Sequence, residues 1–308
     1  MKIPTLFLLS FLTLNACFEK NATHNMKEKS SQPGKDSFDW QGHRGTRGLL
    51  PENTIPAFIK AVELGITTLE LDIAISKDRI PIVSHDPWMS PEICSKPDGM
   101  PVTEEEAKDL KIYGMTYAEI KQYDCGSRGN PRFEEQQATA VHKPSLRDMV
   151  TAVEAYCKKN QLREPFYNIE IKSRPEWDDV FSPKPDLFAY LLLAEMASLG
   201  INDRANIQSF DPRSLQAVKK ELPEMPLALL VENEDGVDAN LGRLGFAPQI
   251  YSPDYPLLDK ATVEKLHAKG MKVIPWTVDE TDKMEQLIDM GVDGIITDYP
   301  NRIPKSVK

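Results

Sequence analysis

The chain has 308 residues, 41% of them hydrophobic, with 47 acidic against 37 basic side chains and a formal net charge of −10. A surface this acidic argues against nucleic-acid binding and against electrostatic adhesion to anionic lipid. No internal repeat or second module is visible, and nothing in the composition bears on oligomeric state.

Lys2 precedes an apolar run from Ile3 to Leu14, too short for a membrane span of about twenty residues but suited to a signal peptide. It ends in Leu14-Asn15-Ala16-Cys17, which resembles a bacterial lipobox, in which the cysteine thiol is lipidated after signal removal. On this reading residues 1–16 are a lipoprotein signal and Cys17 is the lipidation site. The polar, aperiodic residues 17–37 are then a flexible tether. A plain signal peptide with an unrelated cysteine is the alternative. Contact with the membrane would come through the lipid on Cys17, with the mature protein exported to the periplasm or cell surface.

From residue 38 the pattern becomes regular. A strand over 39–43 leads into His43-Arg44-Gly45 and Pro51-Glu52-Asn53-Thr54, followed by a helix from Thr54 to Leu64. The strand over 67–75 alternates with period two, placing Leu69, Leu71 and Ile73 on one face and Glu70 and Asp72 on the other. The connection Ser76-Lys77-Asp78-Arg79 is too short for a parallel crossover, so the next strand folds back as a hairpin. That brings His85 back to the level of Glu70 or Asp72.

Residues 87–144 form an insertion rich in Pro, Gly and charge, with helices expected at Thr103 to Leu110 and Thr116 to Gln122. Long loops of this kind are usually functional or disordered. In an oxidising compartment Cys94 and Cys125, both inside it, are the expected disulfide, because Cys157 sits on the following helix, Ser145 to Lys159. The sequence alone does not prove that pairing.

Strands are then expected near 166–172, 205–209, 226–231, 248–252, 272–277 and 293–297. Helices include Asp186 to Leu199, Pro212 to Glu221, Lys260 to Lys269 and Asp279 to Met290. The strand at 166–172 repeats the earlier alternation, with Glu170 and Lys172 opposite Ile169 and Ile171. Half-exposed strands of an antiparallel sheet would also alternate in this way. Eight strands with intervening helices instead match an α/β fold, the (β/α)₈ TIM barrel, over 38–308.

In such a barrel the outward strand face packs on helices, so the charged face points inward. Glu70, Asp72 and Glu170 would repel one another there and lose hydration, and one divalent cation is the natural compensation. All-oxygen ligands favour Ca²⁺ or Mg²⁺, and no pair of Cys or His has zinc-like spacing.

These motifs resemble the glycerophosphodiester phosphodiesterase family. Gly42-His43-Arg44-Gly45, Pro51-Glu52-Asn53-Thr54, Glu70-Leu71-Asp72, His85-Asp86, Glu170-Ile171-Lys172 and Gln208-Ser209-Phe210 occur in order. Pro275-Trp276-Thr277-Val278 and Gly294-Ile295-Ile296-Thr297-Asp298-Tyr299-Pro300 complete the series. The resemblance implies that Glu70, Asp72 and Glu170 hold the metal, that His43 and His85 are the acid and base, and that Arg44 and Lys172 bind phosphate oxygens. Gln208 would face the barrel mouth as a substrate-binding residue, and Trp276 would be core or a wall of the substrate pocket. Glu52 would either cap the following helix or support the site, and Asp86 would brace His85. The residues after His85 depart from the commonest family continuation, which leaves the alcohol open.

The implied reaction is hydrolysis of a small-molecule glycerophosphodiester to glycerol 3-phosphate and an alcohol. A lysophospholipase D-type activity and a non-catalytic surface scaffold are the alternatives.

Overall fold

In the computed structural model, which describes residues 38–305, the chain alternates strand and helix from its first strand onward. The first part comprises β1 (Asp39–Gly42), α1 (Ile55–Glu63), β2 (Thr68–Ile75), β3 (Pro81–Val83), α2 (Glu104–Ala107), α3 (Tyr117–Ile120) and α4 (Leu146–Asn160). Next come β4 (Phe166–Ile171), α5 (Pro185–Leu199), β5 (Ala205–Ser209), α6 (Pro212–Glu221), β6 (Leu227–Val231) and α7 (Val237–Leu244). The last are β7 (Ile250–Pro253), α8 (Lys260–Ala268), β8 (Lys272–Val273), α9 (Thr281–Met290) and β9 (Gly294–Thr297).

Eight of the strands run parallel in the order β8-β7-β6-β5-β4-β2-β1-β9, and β3 pairs antiparallel with β2. No ladder joins β8 to β9. Backbone bonds from Asp293 N to Val273 O (2.9 Å), Ile296 N to Pro275 O (3.0 Å) and Val278 N to Ile296 O (3.0 Å) bridge that gap. The fold is a (β/α)₈ barrel, as the element order predicts.

The alternating pattern does what its chemistry requires. Leu69, Leu71 and Ile73 lie in the outer apolar layer with Phe58 and Ala61 of α1 and Met149 and Val153 of α4. Each fully buried side chain of this size contributes about 1.5–3 kcal/mol. Inside, the register sets Glu70 opposite Asn168, Asp72 opposite Glu170, and Glu170 opposite Gln208. Helix starts are secured by Ser145, Asp211 and Asp259, whose side chains accept the backbone N–H of Asp148, Arg213 and Thr262.

Some boundaries differ from the sequence expectation. The strand expected over 272–277 has a regular part of only two residues, because Pro275 has no N–H for the ladder. Ile274 and Trp276 still donate to Tyr251 and Pro253 (both 3.1 Å), so the chain keeps its course. The two helices of the insertion are single turns, α2 and α3, and α7 follows β6 where no helix was specified.

The segment 87–144 builds a small core of its own. Met89, Ile93, Val102, Ala107, Ile112 and Ile120 pack together with Ala74 of β2 and Ile82 of β3. A disulfide joins Cys94 to Cys125 across the segment, and Cys157 is a free, buried thiol on α4. The proposed signal, Cys17 and the tether lie outside the described residues.

Candidate active site

The C-terminal ends of the parallel strands converge on a cavity of about 460 Å³. The turn after β1 is forced tight. A Cβ at Gly42 would lie 2.3 Å from the Gly45 carbonyl oxygen, and one at Gly45, where φ is +87°, would strike Ala57 of α1. This turn aims His43 inward, where its Nδ1 lies 2.7 Å from Asp298 Oδ1 and its Nε2 lies 4.0 Å from Glu70 Oε2. Facing a carboxylate, Nδ1 is the protonated nitrogen, which turns the Nε2 lone pair toward the cavity. Burial lowers the pKa of His43, while the Asp298 charge opposes that shift. Asp298 is in turn held by Asp279, whose Oδ1 accepts its backbone N–H at 2.9 Å. Burial and the neighbouring Asp298 charge push Asp279 up to about 6.

Glu70, Asp72 and Glu170 each offer an oxygen, all within 4.8 Å of one another, and all three are buried. Burial and the charges of Asp72 and Glu170 raise Glu70 well above the usual carboxylate range. Burial pushes Glu170 up to about 7, with Asp72 adding to the shift and Lys172 opposing it. Asp72 goes the other way. Burial would raise it, but Arg44, His85 and Lys172 hold it well below its ordinary value. Three buried carboxylates this close, two of them reluctant to ionise, have the donor chemistry of a divalent-cation site.

Protein donors hold the outer oxygens of the cluster in place. Gln208 Nε2 and Arg44 N donate to Glu70 (2.8 and 2.9 Å), and Asn53 Nδ2 donates to Asp72 (2.8 Å). Lys172 Nζ lies 2.8 Å from Glu170 and 3.7 Å from Asp72. The guanidinium of Arg44 is buried between Glu52 (2.7 Å) and Asp72 (3.3 Å).

Glu52 resolves a choice the sequence left open. It precedes α1, whose N-cap is Thr54 and whose first turn has no acidic residue. It pairs instead with Arg44 and Arg47, at 2.7 Å each.

The hairpin returns His85 from the other side. Ser84 N donates to Asp72 O at 2.9 Å, which brings His85 back beside the carboxylates. Its Nδ1 lies 2.9 Å from Asp86 Oδ1. Burial, then the nearby Arg44 and Lys172, lower its pKa to about 4. Two imidazoles, each carrying a carboxylate on Nδ1, thus line one cavity with the acidic cluster, Arg44 and Lys172.

Phe210, Leu230, Trp276 and Ile296 give the cavity an apolar side, and Trp88 and Trp177, from the loops after β3 and β4, line it as well. Phe210 and Trp276 meet edge to face at 5.5 Å, and Trp276 Nε1 donates to Ser252 O at 2.8 Å. Glu232 is the charged residue on this side of the cavity. Gln208 lines the cavity too, level with Glu170, and its amide is bonded to Glu70 and Asn168.

Sequence reasoning gave no role to Asn53, Asp279 or Asp298. Asn53 and Asp298 stand inside quoted motifs, which was the available signal. Their partners, 19 and 255 residues away, were not visible.

Comparison with known proteins agrees with this geometry. Residues 43–302 match the glycerophosphoryl diester phosphodiesterase family. A glycerophosphodiester phosphodiesterase from Caldanaerobacter subterraneus subsp. tengcongensis is 31% identical over 268 residues, covering 86% of this chain and 96% of its own. The fold is similar to that of a Silicibacter pomeroyi protein assigned as a glycerophosphoryl diester phosphodiesterase. That pair has a TM-score of 0.77 and 26% identity, over 89% of this chain and 94% of the other. An Oleispira antarctica phosphodiesterase, solved with its product sn-glycerol-3-phosphate, has a TM-score of 0.67 and 23% identity, over 86% and 94% of the chains. The chain therefore belongs to the glycerophosphoryl diester phosphodiesterase family and is an enzyme of that class.

Proposed function

We propose that the protein hydrolyses glycerophosphodiesters such as glycerophosphocholine or glycerophosphoethanolamine to glycerol 3-phosphate and the free alcohol. The observation that carries this reading is the placement of two carboxylate-backed imidazoles in one cavity with the three-carboxylate cluster, Arg44 and Lys172. The product-bound Oleispira relative supports it.

Glu70, Asp72 and Glu170 would hold one Ca²⁺ or Mg²⁺. Such an ion offsets charge on the phosphoryl oxygens and orients the substrate. Arg44 and Lys172 supply permanent positive charge to the same oxygens. One imidazole takes the proton of the attacking oxygen at Nε2, that oxygen coming from water or from a neighbouring substrate hydroxyl. The other, as the imidazolium with a proton on each nitrogen, gives its Nε2 proton to the departing alcohol oxygen as the P–O bond breaks. Asp298 and Asp86 keep the Nδ1 protons in place through both transfers.

A second reading, a lysophospholipase D-type activity, is favoured by the apolar wall of Phe210, Leu230, Trp276 and Ile296. A human lysophospholipase D is 27% identical over 288 residues. Glu232 in the same wall suits a cationic alcohol better than an acyl chain.

Release of glycerol 3-phosphate by the protein lacking residues 1–17, with EDTA, Mg²⁺ and Ca²⁺ compared, tests the reading. Metal-dependent release supports it. Activity on lysophosphatidylcholine alone would transfer it to the second reading, and inactivity on both would leave a scaffold.

We also propose that Cys17 carries the lipid anchor of an exported bacterial lipoprotein. The sequence from Lys2 to Cys17 supports this. Labelled palmitate should enter the parent chain and not Cys17→Ser.

A further inference from the structure

The end of the insertion runs back along β3. Cys125 N donates to Val141 O (2.7 Å), Val83 N donates to Pro144 O (2.9 Å), and Ile82 pairs antiparallel with Ser145. That register sets Lys143 level with Ser84, one residue before His85. Lys143 is 6% exposed. Among the described residues its ammonium forms no direct ion pair or hydrogen bond. Burial lowers its pKa, Arg44 adds to that shift, and Asp86, then Glu52 and Asp72, are the carboxylates that oppose it.

Lys143 is a buried residue whose ammonium has no direct partner, and an apolar side chain of similar length would occupy the space at less desolvation cost. Of the three carboxylates near it, Glu52 is already held by Arg44 and Arg47, and Asp72 by Arg44 and Lys172. Asp86 is the one bonded to an imidazole. The other histidine shows the same arrangement. His43 is bonded to Asp298, and Arg47 Nη1 stands 4.0 Å from the second Asp298 oxygen. Each imidazole–carboxylate pair therefore has a cation near its carboxylate, Arg47 from the turn that carries His43 and Lys143 from the far end of the insertion.

We propose that Lys143 is a positioning residue for His85, acting through Asp86. Its ammonium keeps the carboxylate ionised and turned to accept the Nδ1 proton, so that Nε2 is presented to the cavity. The insertion thereby contributes to the site through its last residues as well as through Trp88, which lines the cavity. This inference rests on the hydrolytic reading above only for its effect on turnover; the effect on the imidazole is independent of substrate.

The test compares the full-length parent with Lys143→Met and Lys143→Arg. With five histidines in the chain, ¹⁵N-histidine labelling allows the neutral His85 tautomer to be read directly in the metal-free protein. The signal is assigned by its loss in His85→Asn. The expected result is a single Nδ1–H tautomer in the parent and in Lys143→Arg, and a mixture of both tautomers in Lys143→Met. With metal and glycerophosphocholine, kcat of Lys143→Met should fall on the order of tenfold, with KM changed less than about twofold. Lys143→Arg should recover most of it. The melting temperature of Lys143→Met should be unchanged or higher, since a buried charge is removed. A Met variant with the parent's tautomer and kcat overturns the proposal. So does one that loses activity and melting temperature together with the tautomer intact, because that marks a packing role. If the parent itself does not turn over glycerophosphocholine while the tautomer responds to Lys143, the positioning role stands and the substrate assignment fails.

Discussion

The two halves of the barrel interior are made of different chemistry. Across β1, β2, β4 and β5 the inward side chains are polar and joined to one another. Asn168 Nδ2 donates to Gln41 (2.8 Å) and Gln208 (2.9 Å), Gln208 donates to Glu70 (2.8 Å), and Gln41 donates to Asp39 (2.7 Å). Across β6 to β9 the interior is Ala228, Ile250, Ile274 and Ile296, with Trp276 packed against them. Both halves are closed by the same parallel ladders. One half stabilises the barrel chiefly by excluding water, with Ser252 and Trp276 satisfied by backbone carbonyls. The other spends stability on buried charge, and each polar atom there has to be matched by a hydrogen bond or a counter-charge. Function therefore sits where the fold is least favourable to itself.

The sharpest way to break this comparison is to remove an imidazole from the polar half. His43→Ala and His85→Ala should each lower kcat by about 10²–10⁴-fold with the circular dichroism spectrum unchanged. Near-parent turnover by either variant would exclude that residue from proton transfer.

Next in size is the cluster. Glu70→Ala should weaken Ca²⁺ or Mg²⁺ binding by about 100-fold or more, measured by calorimetry, while the metal-free protein becomes no less stable, because one of three crowded buried carboxylates is gone. Parent-like metal binding would remove Glu70 from the ligand set.

The apolar half should show the reverse. Ile274→Ala should cost about 2–5 kcal/mol of stability in urea unfolding and leave kcat at the parent's value under folding conditions. A fall in kcat without a loss of stability would mean that the two halves are not separable.

A smaller effect is the pH dependence of metal binding. Glu170 ionises at about 7 and Glu70 well above its usual range, so both hold protons near neutrality in the metal-free protein. The bound ion needs them ionised, so binding releases protons and tightens as pH rises. Affinity should weaken by up to about tenfold per released proton for each pH unit below about 7. Titrations in buffers of different ionisation enthalpy would show the release, and pH-independent affinity between 5 and 7 would contradict it.

Local pattern made much of this protein legible. The alternation of Leu69-Glu70-Leu71-Asp72-Ile73 assigned one face to the helices and the other to the interior. The four residues Ser76 to Arg79 were too few for anything but a hairpin, which returned His85 to the strand it left. These inferences succeed because side-chain periodicity and turn length are properties of a few consecutive residues. The regular part of β8 was overestimated because apolar composition does not reveal where Pro275 withholds its N–H.

What the sequence by itself determined was the barrel, the inward placement of Glu70, Asp72 and Glu170, and the return of His85. Only the tertiary structure decided the partners: Asp298 on His43, Arg44 and Arg47 on Glu52, and Gln208 on Glu70. The physical reason is closure. Strands first and last in the chain become neighbours when the ring forms, so β9 lies beside β1, and contacts across 255 residues have no counterpart in any local period.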